Sequence, residues 1–417
     1  MLAVEYARNS TPPPPRRKMN IVPNGSITTP TGFLSGVTAS GLKTKGGLDL
    51  GILCSESPCV AAGVFTQNRM KAAPVVLSQR NLADGKARAI VVNAGCANAC
   101  TGDQGLADAA EMVALAAGKL GIPAPEVLVV STGVIGVPLL MNMVRAGIDN
   151  IAMSPSGGHQ LARAIMTTDT SPKEIGVSLE IGRREVCVAG VAKGAGMIHP
   201  DMATLLSFLT TDAAVEPDFL KQALRRAVDV SFNMVSVDGD TSPNDSVLFL
   251  ANGMAGNETL RIGGEGSEAF VGALEEVCVF LAKCIARDGE GATKFIEVTV
   301  EGALSLDDAR RAARTVVSSP LVKSAVHGCD PNWGRVAAAL GRSGADIAES
   351  RLGIYFGDLC LLKGGRPQPF QREQAANLLA QKEVLIRICL NLGGATATAW
   401  GCDLSEEYVT INSAYTT

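Results

Sequence analysis

Short, β-branched apolar runs alternate with helix-length amphipathic stretches through the first two thirds of the chain, and that alternation restricts it to a mixed α/β architecture. Val60–Phe65 (VAAGVF), Ala87–Asn93 (ARAIVVN) and Val127–Ser131 (VLVVS) are too short and too continuously apolar for surface helices, so they read as buried strands. Between the last two, Leu106, Ala109, Met112, Val113, Leu115, Ala116 and Leu120 recur at helical spacing, and Gly121 supplies the stop. Pro138 is placed to open the next helix. A strand beginning at Val186 leads into a Gly-rich stretch, after which Thr204–Asp212 (TLLSFLTTD) is apolar enough for a central strand. A helix from Pro217 turns Phe219, Leu220, Ala223, Leu224, Ala227 and Val228 inward. A second, from near Ser267, buries Phe270, Leu274, Val277, Cys278, Leu281 and Ile285 and stops at Gly289. FIEVTVEG, from near Lys294, starts a smaller α/β domain whose first helix carries a capping-box signature at Ser305 and Asp308. The expected organisation is a flexible leader (1–19), an α/β core (20–293) and a C-terminal α/β domain (294–417).

Composition narrows the function classes. Of 417 residues, 47% are hydrophobic and only 4% aromatic, so a large core must be built from aliphatic side chains. A net charge of −4 argues against a nucleic-acid partner or an anionic membrane surface. The 11 cysteines are odd in number, and the nearest pairs, Cys54/Cys59 and Cys96/Cys100, lack C-x2-C spacing; reduced thiols are expected rather than disulfides or zinc. Pro12 to Pro15 cannot continue a helix, and the leader lacks the apolar stretch of a signal peptide; Met19 is an alternative start. No run approaches the roughly 18 apolar residues of a membrane span, so a cytoplasmic protein with no membrane partner is expected.

Familiar cofactor and metal signatures are missing. There is no Walker A pattern and no strand-linked G-x-G-x-x-G. The acidic loops VDGDTSPND (from Val237) and DPNWGR (from Asp330) break the EF-hand order, so both read as structural turns near the site and no metal is expected. His159, His199 and His327 form no legible triad.

The chemically informative stretch is KGAGMIHPDMATLLSFLTTD, Lys193 to Asp212. Gly194 and Gly196 permit close backbone approach, Pro200 disfavours a helix at His199, and Thr204 stands where this irregular loop enters a buried strand. The segment resembles the self-processing site of the ornithine acetyltransferase family of arginine biosynthesis. Further blocks carry the resemblance from about Gly32 to Thr417: GVFTQNRMKAAPV (from Gly63), NAGCANACTG (from Asn93), STGVIG (from Ser131) and AIMTTDT (from Ala164). VDGDTSPNDSV, DGEGATK (from Asp288), DPNWGRV and the terminal INSAYTT follow in order. The family pattern is departed from at Ala94 and Cys96, and the leader before about Asn20 has no counterpart in it.

The resemblance implies a self-processing, N-terminal-nucleophile type of α/β core, similar to that of the related aminopeptidases and amidases. It implies cleavage between Ala203 and Thr204, giving an α chain (1–203) and a β chain (204–417) that assemble as α2β2. An internal Thr hydroxyl lacks a base; cleavage supplies one, because the new α-amine of Thr204 has an ordinary pKa of about 7.7–8.0. By the same match, Thr132 and Gly133 form the oxyanion hole. Thr167, Lys193, Thr204, Glu290, Asn412 and Thr417 contact substrate, with the C-terminal tail returning to the site. Lys193 suits a substrate α-carboxylate and Glu290 the ornithine ammonium. Thr168 is the alternative to Thr167, and His199 is a loop residue close to the scissile bond. The implied reaction is ping-pong transfer of acetyl from N-acetylornithine to glutamate through acetyl-Thr204, with no cofactor. Some members also take acetyl-CoA as co-substrate and make N-acetylglutamate from it. The rival reading is a self-cleaving aminopeptidase or amidase, in which water replaces glutamate.

Overall fold

The computed structural model describes residues 19–199 and 205–414. Its mixed α/β content is arranged around two sheets. Among the described residues the larger has nine strands. From edge to edge it runs Met19–Ile21, Lys173–Ile181, Arg184–Lys193, Leu206–Thr211, Ser246–Ala251, Leu50–Phe65, Lys86–Cys96 and Val127–Val134, with Phe33–Thr38 added against Leu50–Phe65. Two pairings are parallel, Leu206–Thr211 with Ser246–Ala251 and Lys86–Cys96 with Val127–Val134. Each brings two strand C-termini or two strand entries to one end of the sheet, which is where the site forms.

The central strand Leu206–Thr211 has all six residues buried. Two of its three hydroxyls are bonded to distant carbonyls, Thr210 Oγ1 donating to that of Ile27 and Thr211 Oγ1 to that of Cys187, each at 2.7 Å, while the buried Ser207 Oγ has no partner among the described residues. A buried hydroxyl left unbonded would cost about 1–3 kcal/mol.

The second, seven-stranded sheet is ordered Arg366–Pro367, Leu359–Lys363, Gly353–Phe356, Glu383–Cys389, Phe295–Ala303, Ala395–Cys402 and Val235–Ser236. Its last strand comes from upstream of residue 294. The helices Pro217–Val230 and Ser267–Arg287 pack side by side on the larger sheet. The latter packs on Lys173–Ile181 and Arg184–Lys193 on one side and on Ala395–Cys402 on the other. One apolar cluster therefore runs unbroken from Val177, Leu209 and Phe249 through Leu281 to Val298 and Ile386.

Local patterns are obeyed most closely where the helix is strongly amphipathic. Pro217–Val230 buries the six residues expected of it. Ser305 caps Leu306–Val317 reciprocally, accepting from the Asp308 amide at 3.1 Å while its hydroxyl donates to Asp308 Oδ2 at 2.8 Å. Three expectations are corrected. Helix Gly102–Leu120 turns Gly105, Asp108, Ala109, Met112, Val113, Ala116 and Ala117 inward, leaving Leu106 42% exposed and Leu115 and Leu120 only partly buried. A stripe of small residues lets this helix lie close to its neighbours, and that outweighs the larger leucines. The helix expected from Pro138 starts at Met141. The strand read as Val60–Phe65 is the end of a 16-residue strand from Leu50, whose Ser55-Glu56-Ser57 interruption hid the first half.

Candidate active site

A cleft of about 290 Å³ opens at the end of the larger sheet where Leu205 enters the central strand. Thr132, Gly133, Thr167, Lys193, Glu290 and Asn412 all line it. Ala203, Thr204 and Thr417 lie outside the described residues; Leu205 and Leu206, immediately after Thr204 in the chain, form part of the wall.

Thr132 and Gly133 are the last turn-facing residues of Val127–Val134. The pairing with Lys86–Cys96 slips at Gly95/Cys96, so the two strands end irregularly there. Gly133 has φ +132°, and a Cβ at that position would stand 2.2 Å from the Gly95 carbonyl carbon. Only glycine permits this backbone. Asn244 locks the corner from the other side: its Nδ2 donates to the Ala97 carbonyl at 2.6 Å and the Ser131 carbonyl at 2.9 Å.

Lys193 ends Arg184–Lys193 and is buried, with Nζ donating to Thr132 Oγ1 at 3.3 Å. Burial pushes its pKa below the usual lysine range, and the carboxylates of Asp169, Asp245 and Glu290 oppose that shift while Lys173 adds to it. An ammonium held without a direct carboxylate contact retains donors for an incoming anion.

Three separate segments of the site are tied by one buried ion cluster. Asp169 Oδ2 accepts from the Thr167 amide at 3.0 Å, and Oδ1 accepts from the Gly194 amide at 2.7 Å and from Lys173 Nζ at 2.6 Å. Lys173 Nζ also donates to Asp288 Oδ2, whose carboxylate accepts from the Thr170 amide at 3.0 Å. Burial alone would raise the Asp169 pKa, but the Lys193 and Lys173 ammoniums and the Gly194 amide outweigh it and hold the pKa at about 2. Asp169 is thus an ion that orients Thr167, Lys193 and, through Asp288, the approach to Glu290.

Glu290 is placed by its amide, which donates to the Ala195 carbonyl at 2.8 Å. Its carboxylate lies over Gly196, where a Cβ would come within 2.4 Å of it. Asn412 Nδ2 donates to Glu290 Oε2 at 2.8 Å, bringing the helix Glu406–Ser413 back to the cleft. Ser405 anchors that helix by donating to the Gly291 carbonyl at 2.6 Å.

Thr168 lines the cleft beside Thr167, so both hydroxyl-bearing residues border the same space. His199 faces a separate hollow that includes Arg342 and Ser343, and its Nδ1 lies 3.1 Å from Ser236 Oγ. His327 pairs with Asp403 at 2.7 Å and His159 with Glu174 at 2.8 Å, both away from the cleft. Asp330 pairs with Arg372 and Asn332 caps Trp333–Gly341, so the DPNWGR loop, expected near the site, shapes the second unit and does not line the cleft.

The other acidic loop belongs to the site, and its residues were not singled out from the sequence. Ser242, Asn244 and Asp245 border the cleft. Asp238 accepts from the Met197 and Ile198 amides at 2.5 and 2.9 Å, fixing the segment that precedes Pro200. The loop lies near the site as expected, but a reading of VDGDTSPND as turn formers does not say which of its side chains reach the cleft. All 11 cysteines are free thiols, and burial pushes those of Cys54, Cys59 and Cys187 upward, to about 11, 12 and 12, which makes them poor nucleophiles.

The ArgJ family profile matches residues 34–417. The arginine biosynthesis bifunctional protein ArgJ of Dehalococcoides mccartyi (strain CBDB1) is 53% identical over 405 residues, covering 96% of this chain and 100% of that one. The protein of the same name from Symbiobacterium thermophilum is 54% identical over 398 residues, covering 94% and 99%. Among solved structures, an ornithine acetyltransferase from Mycobacterium tuberculosis, complexed with ornithine, is 40% identical with a TM-score of 0.42, covering 45% of this chain and 100% of that one.

Proposed function

The chain belongs to the ArgJ family, and from that premise we propose that the cleft moves an acetyl group from N-acetylornithine to glutamate through an acetyl-Thr204 intermediate. The protein is an acetyltransferase of arginine biosynthesis. The observation that supports this use of the cleft is convergence. Residues from five distant segments, Thr132-Gly133, Thr167, Lys193, Glu290 and Asn412, line one space against Leu205.

In the proposed cycle the chain first cleaves itself between Ala203 and Thr204, which frees the Thr204 α-amine. That amine takes the hydroxyl proton as Thr204 Oγ1 attacks the acetyl carbonyl of N-acetylornithine. The carbonyl oxygen becomes an oxyanion, for which the Thr132 hydroxyl and the Gly133 corner supply donors. The Lys193 ammonium, bonded to the Thr132 hydroxyl, adds positive potential on the same side. The carbon–nitrogen bond breaks, ornithine leaves with the proton held by the α-amine, and the acetyl group stays on Thr204. Glutamate enters, its amine attacks the ester, and N-acetylglutamate departs.

Glu290, with Asn412 bonded to it, receives the ornithine ammonium, and Lys193 with Thr167 receives an α-carboxylate. Thr417 joins them in this scheme. The cycle uses no cofactor and no metal; acetyl-CoA is an alternative acetyl donor. An α2β2 assembly in the cytoplasm completes the proposal, and no helix among the described residues is long and apolar enough to cross a membrane.

Intact-mass spectrometry of the protein beside Thr204→Ala tests the first step: two fragments meeting at Ala203/Thr204 are expected from the former and a whole chain from the latter. Incubation with N-acetylornithine, with and without glutamate, tests the second. Ornithine release that is equal in the two incubations would identify a hydrolase and defeat the transferase scheme.

A further inference from the structure

Asp245 has no part in the scheme above, yet its carboxyl lies at the inner wall of the same cleft. It is 3% exposed and immediately precedes the strand Ser246–Ala251. That strand pairs in parallel with Leu206–Thr211, and the Ser246 amide donates to the Leu205 carbonyl at 3.1 Å. The Asp245 carboxyl itself accepts from the backbone N–H of Leu205 and from the hydroxyl and amide of Ser242. Both polar groups of the Leu205 backbone are therefore held by residues 245 and 246. Leu205 follows Thr204 directly in the chain, so this anchored amide belongs to the peptide bond next to the proposed nucleophile.

We infer that Asp245 is a positioning residue for both self-cleavage and acetyl transfer: it anchors the first amide after Thr204 and presents its carboxyl to Lys193 across the cleft. The inference rests on Thr204 being the nucleophile. Two features separate it from an ordinary strand-entry contact. A carboxyl is buried where an amide or hydroxyl would meet the same backbone donor without the cost of hiding a charge. Its facing cation is Lys193, which binds the Thr132 hydroxyl of the oxyanion corner, so one carboxyl bonds the nucleophile's neighbour and acts through its charge on the oxyanion side.

Charged groups around this pair are few and identified. Lys193 faces Asp245 from the strand Arg184–Lys193, and around Lys193 stand Asp169, Lys173, Glu290 and Lys43. Burial pushes the Asp245 pKa well above the usual carboxylate range, with the Ser242 hydroxyl, Lys193 and the backbone donors opposing it. Asp245 thus binds or releases its proton nearer to working pH than an exposed Asp would.

The test compares Asp245→Asn and Asp245→Ala with the unaltered protein. The asparagine keeps an acceptor for the Leu205 amide but cannot titrate; the alanine removes both. Self-cleavage is followed by intact mass, and acetyl transfer by the processed fraction across pH, with thermal unfolding as the check on folding. Asp245→Ala is expected to cleave about 10²-fold more slowly, the loss typical of a misplaced reacting group. Asp245→Asn is expected to recover most of the cleavage rate and to lose one limb of the wild-type pH–rate profile. If Asp245→Ala does not fold, the Asp245→Asn profile decides. A folded Asp245→Ala that cleaves at the wild-type rate, or an Asp245→Asn with the wild-type pH profile, overturns the inference alone. A wild type that never cleaves overturns it together with the reading of Thr204.

Discussion

Replacing Lys173 by Met removes the only cation that bonds both Asp169 and Asp288 among the described residues, and leaves two carboxylates in a space matched to an ammonium. Lys173 is 2% exposed and Asp169 is 8% exposed, so water cannot readily take over the lost bonds. Truncating one member of a buried, hydrogen-bonded ion pair costs about 3–5 kcal/mol, because the partner charge stays buried and uncompensated. At roughly 1 °C per kcal/mol for a chain of 417 residues, the midpoint of thermal unfolding should fall by about 4 °C. The loss should shrink as pH falls below about 4, since protonating the stranded Asp169 removes the like-charge repulsion. Transfer should suffer as well as stability, because Asp169 orients the amides of Thr167 and Gly194 while Asp288 holds that of Thr170. The assay is calorimetry of wild type and Lys173→Met at pH 7 and pH 4, with acetyl transfer measured on the folded fraction. A midpoint within about 1 °C of wild type at pH 7, equivalent to less than about 1 kcal/mol, would refute the argument that this cluster clamps the site.

Thr132→Ala should lower acetyl transfer by about 10²–10³-fold with little change in thermal stability, the loss expected for one oxyanion donor, and steady-state kinetics on processed enzyme will show it. Gly196→Ala places a methyl within 2.4 Å of the Glu290 carboxylate, so KM for N-acetylornithine should rise about tenfold or more while the unfolding midpoint moves little. Asp169 should make the protein acid-sensitive in a defined window. Its folded pKa, about 2, lies below the ordinary 3.9 or so, so its stabilisation is full above about pH 4 and is lost as pH falls toward 2. Asp169→Asn should flatten that part of the stability–pH curve, as read by denaturant titration.

Apolar period and composition were enough to show a mixed α/β chain with an aliphatic core. The helix Pro217–Val230 and the Ser305 cap could be read because their causes are local: a one-sided apolar stripe and a hydroxyl three residues from an amide. The strand from Leu50 was half hidden because its polar interruption at residues 55–57 looks like a turn in isolation, whereas the neighbouring strand Lys86–Cys96 continues past it with a shift of register. Leu106 was misread because period alone cannot tell which of two adjacent stripes meets the sheet; the close approach of small residues decided it. At the site, residue types and family-like blocks marked Thr132, Gly133, Thr167, Lys193, Glu290 and Asn412, but nothing in their order says that they share one cleft. That they converge follows from the two parallel pairings, the return of the helix Glu406–Ser413 and the Lys173 ion cluster. Asn244 and Asp245 stayed invisible for the same reason. A side chain's bonding to a backbone group 40 or more residues away is set by packing of the whole sheet, and no local spacing encodes it.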